Sequence, residues 1–204
     1  MRRGLLIAAV LTALCLLASG CSSGEKAARA AAEAKPTCAF PAGWKKLANR
    51  IKAPVYCPGW LPDPLTSQIG GRWNNIDAVD PDRSYLESFV WQETGMGAAG
   101  GELHVNLRGY PGRNSIPKCT RGGKEKGLIP CFSDPHGHVR ANGIDARMYT
   151  VNQDADQWHV LLLWRHAGAL YTLTEHVAAP LTFEHVVRYL KRELRSLVRI
   201  EPST

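Results

Sequence analysis

The first 21 residues constrain this chain most, because they decide the compartment in which the rest of it folds. Two arginines at positions 2 and 3 precede an apolar run over residues 4–17, and three small residues then lead into Cys21. A basic start, an apolar stretch and small residues before a cut are the layout of an export signal. The apolar run amounts to roughly 21 Å of helix at 1.5 Å per residue, whereas a bilayer core of about 30 Å needs nearer 20 residues. The pattern therefore predicts a cleaved leader over residues 1–20 and not a permanent membrane span.

Leu17-Ala18-Ser19-Gly20-Cys21 resembles the lipobox of bacterial lipoproteins. The resemblance implies that the Cys21 thiol receives a diacylglyceryl group, that the chain is cut before Cys21, and that the new amino group is then usually acylated. Two or more acyl chains, at about 0.8 kcal/mol per buried methylene, hold a protein stably on a bilayer. We therefore expect lipidation of Cys21 and a location at the extracytoplasmic face of the cell membrane. The alternative is an ordinary secretory signal in which the cysteine is incidental.

Residues 21–36 predict a flexible tether between this anchor and a folded domain. They are rich in alanine and carry almost no bulky apolar side chain, so they cannot contribute to a hydrophobic core. The remaining residues, 37–204, suit a single exported domain. Removing the leader takes away two arginines and no acidic residue, so the formal net charge falls from +7 to +5. That charge suits an anionic lipid surface or an envelope polymer, and no nucleic-acid-binding module is visible.

Four cysteines remain once the leader is cut and Cys21 carries lipid. They are Cys38, Cys57, Cys119 and Cys131. An even number of cysteines in an oxidising compartment is typical of disulfides. Because short loops close most readily, we predict the pairs Cys38–Cys57 and Cys119–Cys131, each stabilising the fold by about 2–4 kcal/mol. A metal site on these cysteines is disfavoured, since none of them has CxxC spacing.

Alternating apolar residues predict the strands of one sheet. Residues 85–92 fit a buried strand, and residues 102–108 alternate with Leu103 facing inwards and His104 facing outwards. Asn142-Gly143 is a strong hairpin signal, and residues 165–168 join the two strands of a second hairpin.

A C-terminal helix completes the predicted fold. Thr182 is a plausible N-cap, and the apolar residues from Phe183 to Val198 fall on a single helical face. Residues 38–64 predict an irregular lead-in with a short helix near 44–51, and residues 110–135 predict a long loop. The fold class is α+β: an antiparallel sheet of about five to six strands, stapled by disulfides, with the amphipathic helix packed on one face.

Three stretches are similar to small exported or membrane-tethered α+β domains of Gram-positive bacteria, which are related to the lipoprotein-carrier and sigma-regulator sensor folds. The first is residues 53–62, APVYCPGWLP, and the second is residues 139–146, VRANGIDA. The third combines residues 158–164 and 170–173 with the helix from Thr182. The resemblance implies the α+β fold and a non-enzymatic sensor or binding role. Three of the cysteines and the long loop at 110–135 depart from that pattern.

Asp134, His136 and His138 form the most suggestive cluster for chemistry. Two imidazoles two residues apart can reach one divalent ion, with the aspartate as a third ligand. A polar loop whose histidines meet solvent is the favoured interpretation, so we expect neither a metal nor another cofactor. The glycine-rich residues 95–101 lack the Gly-Lys-Ser/Thr ending of a phosphate-binding loop and favour a connection between strands.

No pattern in the sequence specifies a reaction. None of the serines at 84, 88, 115 and 133 lies in a Gly-x-Ser-x-Gly elbow. His159 and His176 lie in or beside strands, where an outward-facing or hydrogen-bonded core histidine is commoner than a catalytic base. Carboxylates such as Glu87 and Glu102 cannot be paired without geometry, and the aromatic residues of the strands favour core packing over a ligand groove.

The sequence therefore predicts a membrane-anchored extracytoplasmic lipoprotein with a non-catalytic binding or sensor domain. Expected partners are the membrane through the N-terminal lipid, and an envelope protein, an envelope polymer or a small apolar ligand. The alternatives are a carrier that holds a lipid between sheet and helix, and a cell-envelope hydrolase. A carrier needs an apolar cavity of about 300 Å³ or more, and a hydrolase needs convergent polar groups in a cleft.

Overall fold

The computed structural model describes residues 35–71, 75–92, 102–120, 128–133, 135–152 and 158–203. The leader, Cys21, most of the expected tether, the glycine-rich stretch and Asp134 lie outside these residues. Pro36–Thr204 forms one compact unit. Among the described residues, no helix has both the length and the apolar character needed to cross a membrane.

Two helices and eleven strands make up the described part of the chain. In chain order they are α1 (Pro41–Ile51), β1 (Val55–Pro58), β2 (Ile76–Val79), β3 (Tyr85–Gln92), β4 (Glu102–Tyr110), β5 (Lys118–Thr120), β6 (Leu128–Pro130), β7 (Gly137–Ala141), β8 (Ile144–Asn152), β9 (Trp158–His166), β10 (Ala169–His176), α2 (Phe183–Ser196) and β11 (Leu197–Ile200). The α+β class is confirmed, but the expected five to six strands are too few. Short strands carry too few alternating residues to be recognised from sequence.

Seven strands form one antiparallel sheet in the order β2-β3-β4-β10-β9-β8-β7. The β7–β8 hairpin turns at Asn142 and Gly143, which both have positive φ as the Asn-Gly signal predicts. The β9–β10 hairpin turns at Ala167 and Gly168 in the same left-handed region. Its register pairs Ala169 with His166. In the sheet, β10 lies between β4 and β9.

Helix α2 packs on one face of this sheet, which we call the helix face. It begins at Thr182, whose Oγ1 accepts a hydrogen bond from the backbone N–H of His185 at 3.4 Å, so the predicted N-cap is confirmed. Its buried residues are Val186, Leu190, Glu193 and Leu194. They join alternate residues of the central strands in the main core, which includes Leu107, Leu162, Tyr171 and Leu173.

The predicted helix is too long at its C-terminal end. Helix α2 ends at Ser196, and Leu197 and Val198 instead begin β11, which pairs with β1. Val198 stands opposite Cys57 in this two-stranded sheet. The first predicted apolar position, Phe183, is 41% exposed. A pairing between segments about 140 residues apart leaves no local sequence signal, which explains the error.

Both predicted disulfides are present, and they join different parts of the fold. Cys38–Cys57 joins the lead-in, which contains helix α1, to strand β1. Cys119–Cys131 joins β5 to the residue after β6. The segment predicted as a long loop thus contains a two-stranded sheet. It covers part of the second face of the large sheet, which we call the open face, through a smaller core that includes Phe132, Tyr149, Leu161, Leu163 and Leu170.

Candidate metal centre

Three histidines lie side by side on neighbouring strands of the open face. His176 ends β10 and is paired across the hairpin with His159 of β9. On the other side of β10 the register pairs Glu175 with Val105, which brings His176 level with His104 of β4. Because Leu103, Val105 and Leu107 point into the main core, the alternation of β4 places Glu102, His104 and Asn106 together on the open face.

Glu102 bridges two of these imidazoles. Its Oε1 lies 3.2 Å from Nδ1 of His104 and 3.5 Å from Nδ1 of His176. One ligand atom from each of the three residues lies within 4.8 Å of the others. Ligands about 2.0–2.2 Å from a tetrahedral zinc ion stand about 3.3 Å apart. The two Glu102 distances match this spacing, and the widest separation in the group, up to 4.8 Å, must shorten for one ion to contact all three side chains.

The contacts made by Nε2 of His104 bear on which ring nitrogen can bind an ion. Its Nε2 lies 3.1 Å from the side-chain oxygen of Asn106 and 3.1 Å from Oγ of Ser88. The Asn106 oxygen accepts, so in the tautomer that satisfies this contact Nε2 donates to it and Nδ1 presents its lone pair towards Glu102. A histidine that binds a metal ordinarily donates its other ring N–H to such a partner. Burial lowers the pKa of His104, against an opposing effect of Glu102, and this favours the neutral ring that a metal requires.

His176 is buried, and its ring is not hydrogen-bonded. It is 7% exposed, and neither ring nitrogen has a hydrogen-bond partner among the described residues. Leaving a buried polar group without a partner costs about 1–3 kcal/mol, and an ion is one of the few arrangements that removes the cost. The polar contact of this ring among the described residues is the 3.5 Å approach of its Nδ1 to Oε1 of Glu102, which is longer than an ordinary hydrogen bond.

His159 lies against this group as a third ring. Its ring stacks on His176 with centroids 4.8 Å apart and an interplanar angle of 19°, and it meets His104 edge-on at 5.7 Å. The stacked geometry holds the His176 ring in place. His159 thus belongs to the wall of the centre, beside the three residues that offer ligand atoms.

Ser88, His104 and Glu102 also have the chain of contacts found in serine hydrolases, in which a histidine joins a hydroxyl to a carboxylate. Two observations oppose that interpretation. Ser88 is 1% exposed, so a substrate carbonyl cannot reach its oxygen. The Nε2 that would take the serine proton also faces the oxygen of Asn106, which it must meet as a donor. The arrangement suits ligation better than nucleophilic attack.

The metal candidates suggested by the sequence lie elsewhere. His136 and His138 are both exposed, and Nδ1 of His138 lies 3.2 Å from Asp145. Asp145 also accepts from Arg140 at 3.0 Å, so this carboxylate is held in a surface ion pair. Neither histidine belongs to the group of possible ligands formed by Glu102, His104 and His176.

Two acidic residues are buried between the sheet and α2, on the helix face. Glu175 and Glu193 have no exposed surface, and their four carboxyl oxygens have no hydrogen-bond partner in the described residues. Burial raises the pKa of Glu175 to about 8. Burial, with repulsion from Glu175, raises the pKa of Glu193 well above its usual range. At neutral pH these groups are therefore largely neutral.

A cleft of about 310 Å³ lies between α1 and β2. Its walls include Lys46 and Arg50 from the helix and Asp77 from the strand, together with Leu47 and Ile69. The lipid-carrier alternative needs an apolar cavity between the sheet and α2. This cleft has charged walls and lies beside a different helix, so it does not favour a carrier.

Comparisons of the chain with known protein families, with curated proteins and with solved structures find no match. The function is therefore argued from the site itself.

Proposed function

We propose that this chain is an extracytoplasmic lipoprotein, held at a membrane by lipid on Cys21, whose domain binds one divalent transition-metal ion of the zinc class. The ligands are Glu102, His104 and His176. The observation that carries the proposal is the pair of Nδ1 atoms that face one carboxylate oxygen at 3.2 and 3.5 Å, with His176 otherwise without a hydrogen bond.

The donor set favours zinc among common ions. Two imidazoles and one carboxylate suit Zn²⁺, whereas Ca²⁺ and Mg²⁺ prefer oxygen ligands alone. Three protein ligands leave a coordination position for water or for a group from a partner. The role is binding, as the sequence predicts, but the ligand is an ion in place of the polymer or apolar molecule expected from composition.

Isothermal titration of zinc into the chain from residue 21 onward tests the proposal. Cys21→Ser prevents lipidation, and the protein is first freed of metal with a chelator. We expect one zinc per chain. Glu102→Gln keeps the shape of the side chain and removes a charged ligand, so it should weaken binding at least about a hundredfold, beyond the usual effect of a supporting residue. His176→Ala should do the same.

His138→Ala is the matched control, because it removes an exposed histidine from the other candidate cluster. Its zinc affinity should equal that of the unsubstituted chain. If His138→Ala lost zinc binding while Glu102→Gln kept it, the zinc site would lie in the loop that contains His138, and the proposal would be refuted. Absence of zinc binding to the unsubstituted chain would refute it as well. Circular dichroism of each variant separates lost ligation from lost folding.

A further inference from the structure

The outer surface of helix α2 carries a continuous row of cations, which we call the basic stripe. It consists of Arg188, Lys191, Arg192 and Arg195. The spacing of three, four and seven residues places them on one side of the helix, directly opposite its buried residues. Arg188, Arg192 and Arg195 are exposed, and Lys191 is half-buried.

Few acidic groups offset this charge. The pKa of the Glu184 carboxyl, one turn before Arg188, is lowered. The positive charge of Arg188 is one of the smaller causes. In the described part of the chain, no carboxylate forms an ion pair with the other three cations of the stripe. The further cation at Arg199 is paired with Glu201 at 2.8 Å and does not belong to the stripe. The stripe therefore keeps most of its positive charge.

Two aromatic rings border the basic stripe. Trp60 meets Tyr189 at a centroid distance of 5.6 Å, and the Arg192 guanidinium lies over the Trp60 ring at 4.0 Å. Both aromatic residues are half-buried. Tryptophan and tyrosine, whose rings combine an apolar body with a polar group that contacts water, concentrate at the headgroup level of membranes. Cations interleaved with such rings are typical of helices that lie on a lipid surface.

The chain enters the domain beside this surface. The backbone of Thr37 and the carbonyl of Ser196 both lie so close to Gly59 that a Cβ there would stand 2.7 Å from each carbonyl oxygen. The Cys38–Cys57 disulfide holds this entry point next to the C-terminal end of α2. The residues between Cys21 and this point can span at most about 55 Å at 3.3–3.6 Å per residue. Lipid on Cys21 would thus keep the whole domain within reach of a bilayer, where the charge of the stripe can select the face that meets it.

We propose that the basic stripe, with Trp60 and Tyr189, rests on the surface of an anionic lipid bilayer. The proposal rests on the membrane-anchored half of the proposed function and is independent of metal binding. It sets the orientation of the domain, because α2 lies on the helix face of the sheet and the histidines lie on the open face. The candidate metal centre then points away from the membrane, towards soluble partners.

Vesicle sedimentation tests this surface without the lipid anchor. The chain from residue 21 with Cys21→Ser is mixed at low salt with vesicles of phosphatidylcholine, or of equal parts phosphatidylcholine and phosphatidylglycerol. We expect binding to the anionic vesicles only. The triple variant Lys191→Gln, Arg192→Gln, Arg195→Gln should bind roughly a hundredfold more weakly, given the contribution of each cation near a charged surface.

A second triple variant controls for net charge. Arg108→Gln, Arg140→Gln, Arg147→Gln removes three exposed cations from the open face and should bind the anionic vesicles as the unsubstituted chain does. Equal loss in both triple variants would show attraction by net charge alone and overturn the proposal. So would equal binding to both kinds of vesicle, or none by the unsubstituted chain. Because Cys21 is substituted throughout, these outcomes are separate from a failure of lipidation.

Discussion

Asn106 acts on the candidate metal centre without being a ligand. Its side-chain oxygen lies 3.1 Å from Nε2 of His104, and by accepting from the Nε2–H tautomer it leaves Nδ1 for an ion. We predict that Asn106→Ala weakens zinc binding by about 10–100-fold, the usual effect of losing such a partner. Asn106→Asp retains an acceptor and should restore most of the affinity, as measured by calorimetry. A purely structural role would give both variants the same loss.

Glu193 should make the stability of the domain depend on pH. Its raised pKa means that the folded chain holds a proton that the unfolded chain releases above about pH 4.5. Stability from this group is fully present below that pH and is lost as the pH rises towards the folded-state pKa. Glu193→Gln cannot ionise, so we predict a gain of roughly 1–3 kcal/mol at pH 8 and a smaller change at pH 5.

Urea unfolding at the two pH values measures this difference. Glu201→Gln, on the exposed surface, is the control and should leave the pH dependence unchanged. The prediction is wrong if Glu193→Gln destabilises the chain equally at both pH values. That result would mean that the carboxyl makes a favourable contact in the core in its neutral form.

Only part of the candidate centre is accessible from sequence. The β9–β10 hairpin is recognisable, but β9 runs on to His166, so the turn is shorter than the predicted connection at 165–168, and only the observed register places His159 opposite His176. The alternation of β4 places Glu102 and His104 on one face. That β4 lies beside β10 is a contact between segments about 70 residues apart. No local pattern encodes such a pairing, whereas His136 and His138 stand out in the sequence because they are two residues apart.

The long elements were predictable because each has many residues of one period. The bounds of β3 match the prediction, and β4 extends it only to Tyr110. Strand β2 was missed because Ile76 and Asp77 are exposed, and no alternation marks the strand. The apolar spacing of the helix continues through Leu197 and Val198, so the sequence predicts a last helical turn where the structure has strand β11. Only pairing with β1 distinguishes the two conformations.

Gly109 of β4 has no side chain, and this leaves room for the ring of Tyr85 from the neighbouring strand β3. The two residues are paired in the β3–β4 register, and a Cβ at position 109 would overlap the Tyr85 ring. We predict that Gly109→Ala destabilises the domain by about 1–3 kcal/mol through overpacking, measured by thermal or urea unfolding. Gly137, in β7, has open space around a Cβ. Gly137→Ala should change stability little, and equal effects would refute the explanation.

The two faces of the large sheet carry different features. The helix face holds the main core, the two neutral carboxyls and α2 with its basic stripe. The open face holds the histidines at one end and the disulfide-linked segment over the smaller core. The Cys38–Cys57 disulfide ties the entry of the chain to the helix side. In the proposed arrangement, the lipid anchor and the basic stripe together place the helix side, and not the candidate metal centre, next to the membrane.

The first 21 residues offer a test of the proposed anchor, because they contain two cysteines with different expected fates. Cys15 lies in the apolar run and should leave with the signal, whereas Cys21 should carry the lipid. We predict that Cys21→Ser abolishes both the lipid and the cut that depends on it, so that the leader is retained, and that Cys15→Ser leaves the protein lipidated and in the membrane. Mass spectrometry should find a diacylglyceryl group on Cys21 as the first residue of the mature chain. The mature protein should contain no free thiol, since Cys21 carries the lipid and the remaining cysteines form the two disulfides. An unmodified Cys21 in protein from the native host would contradict the anchor and leave the zinc prediction to stand alone.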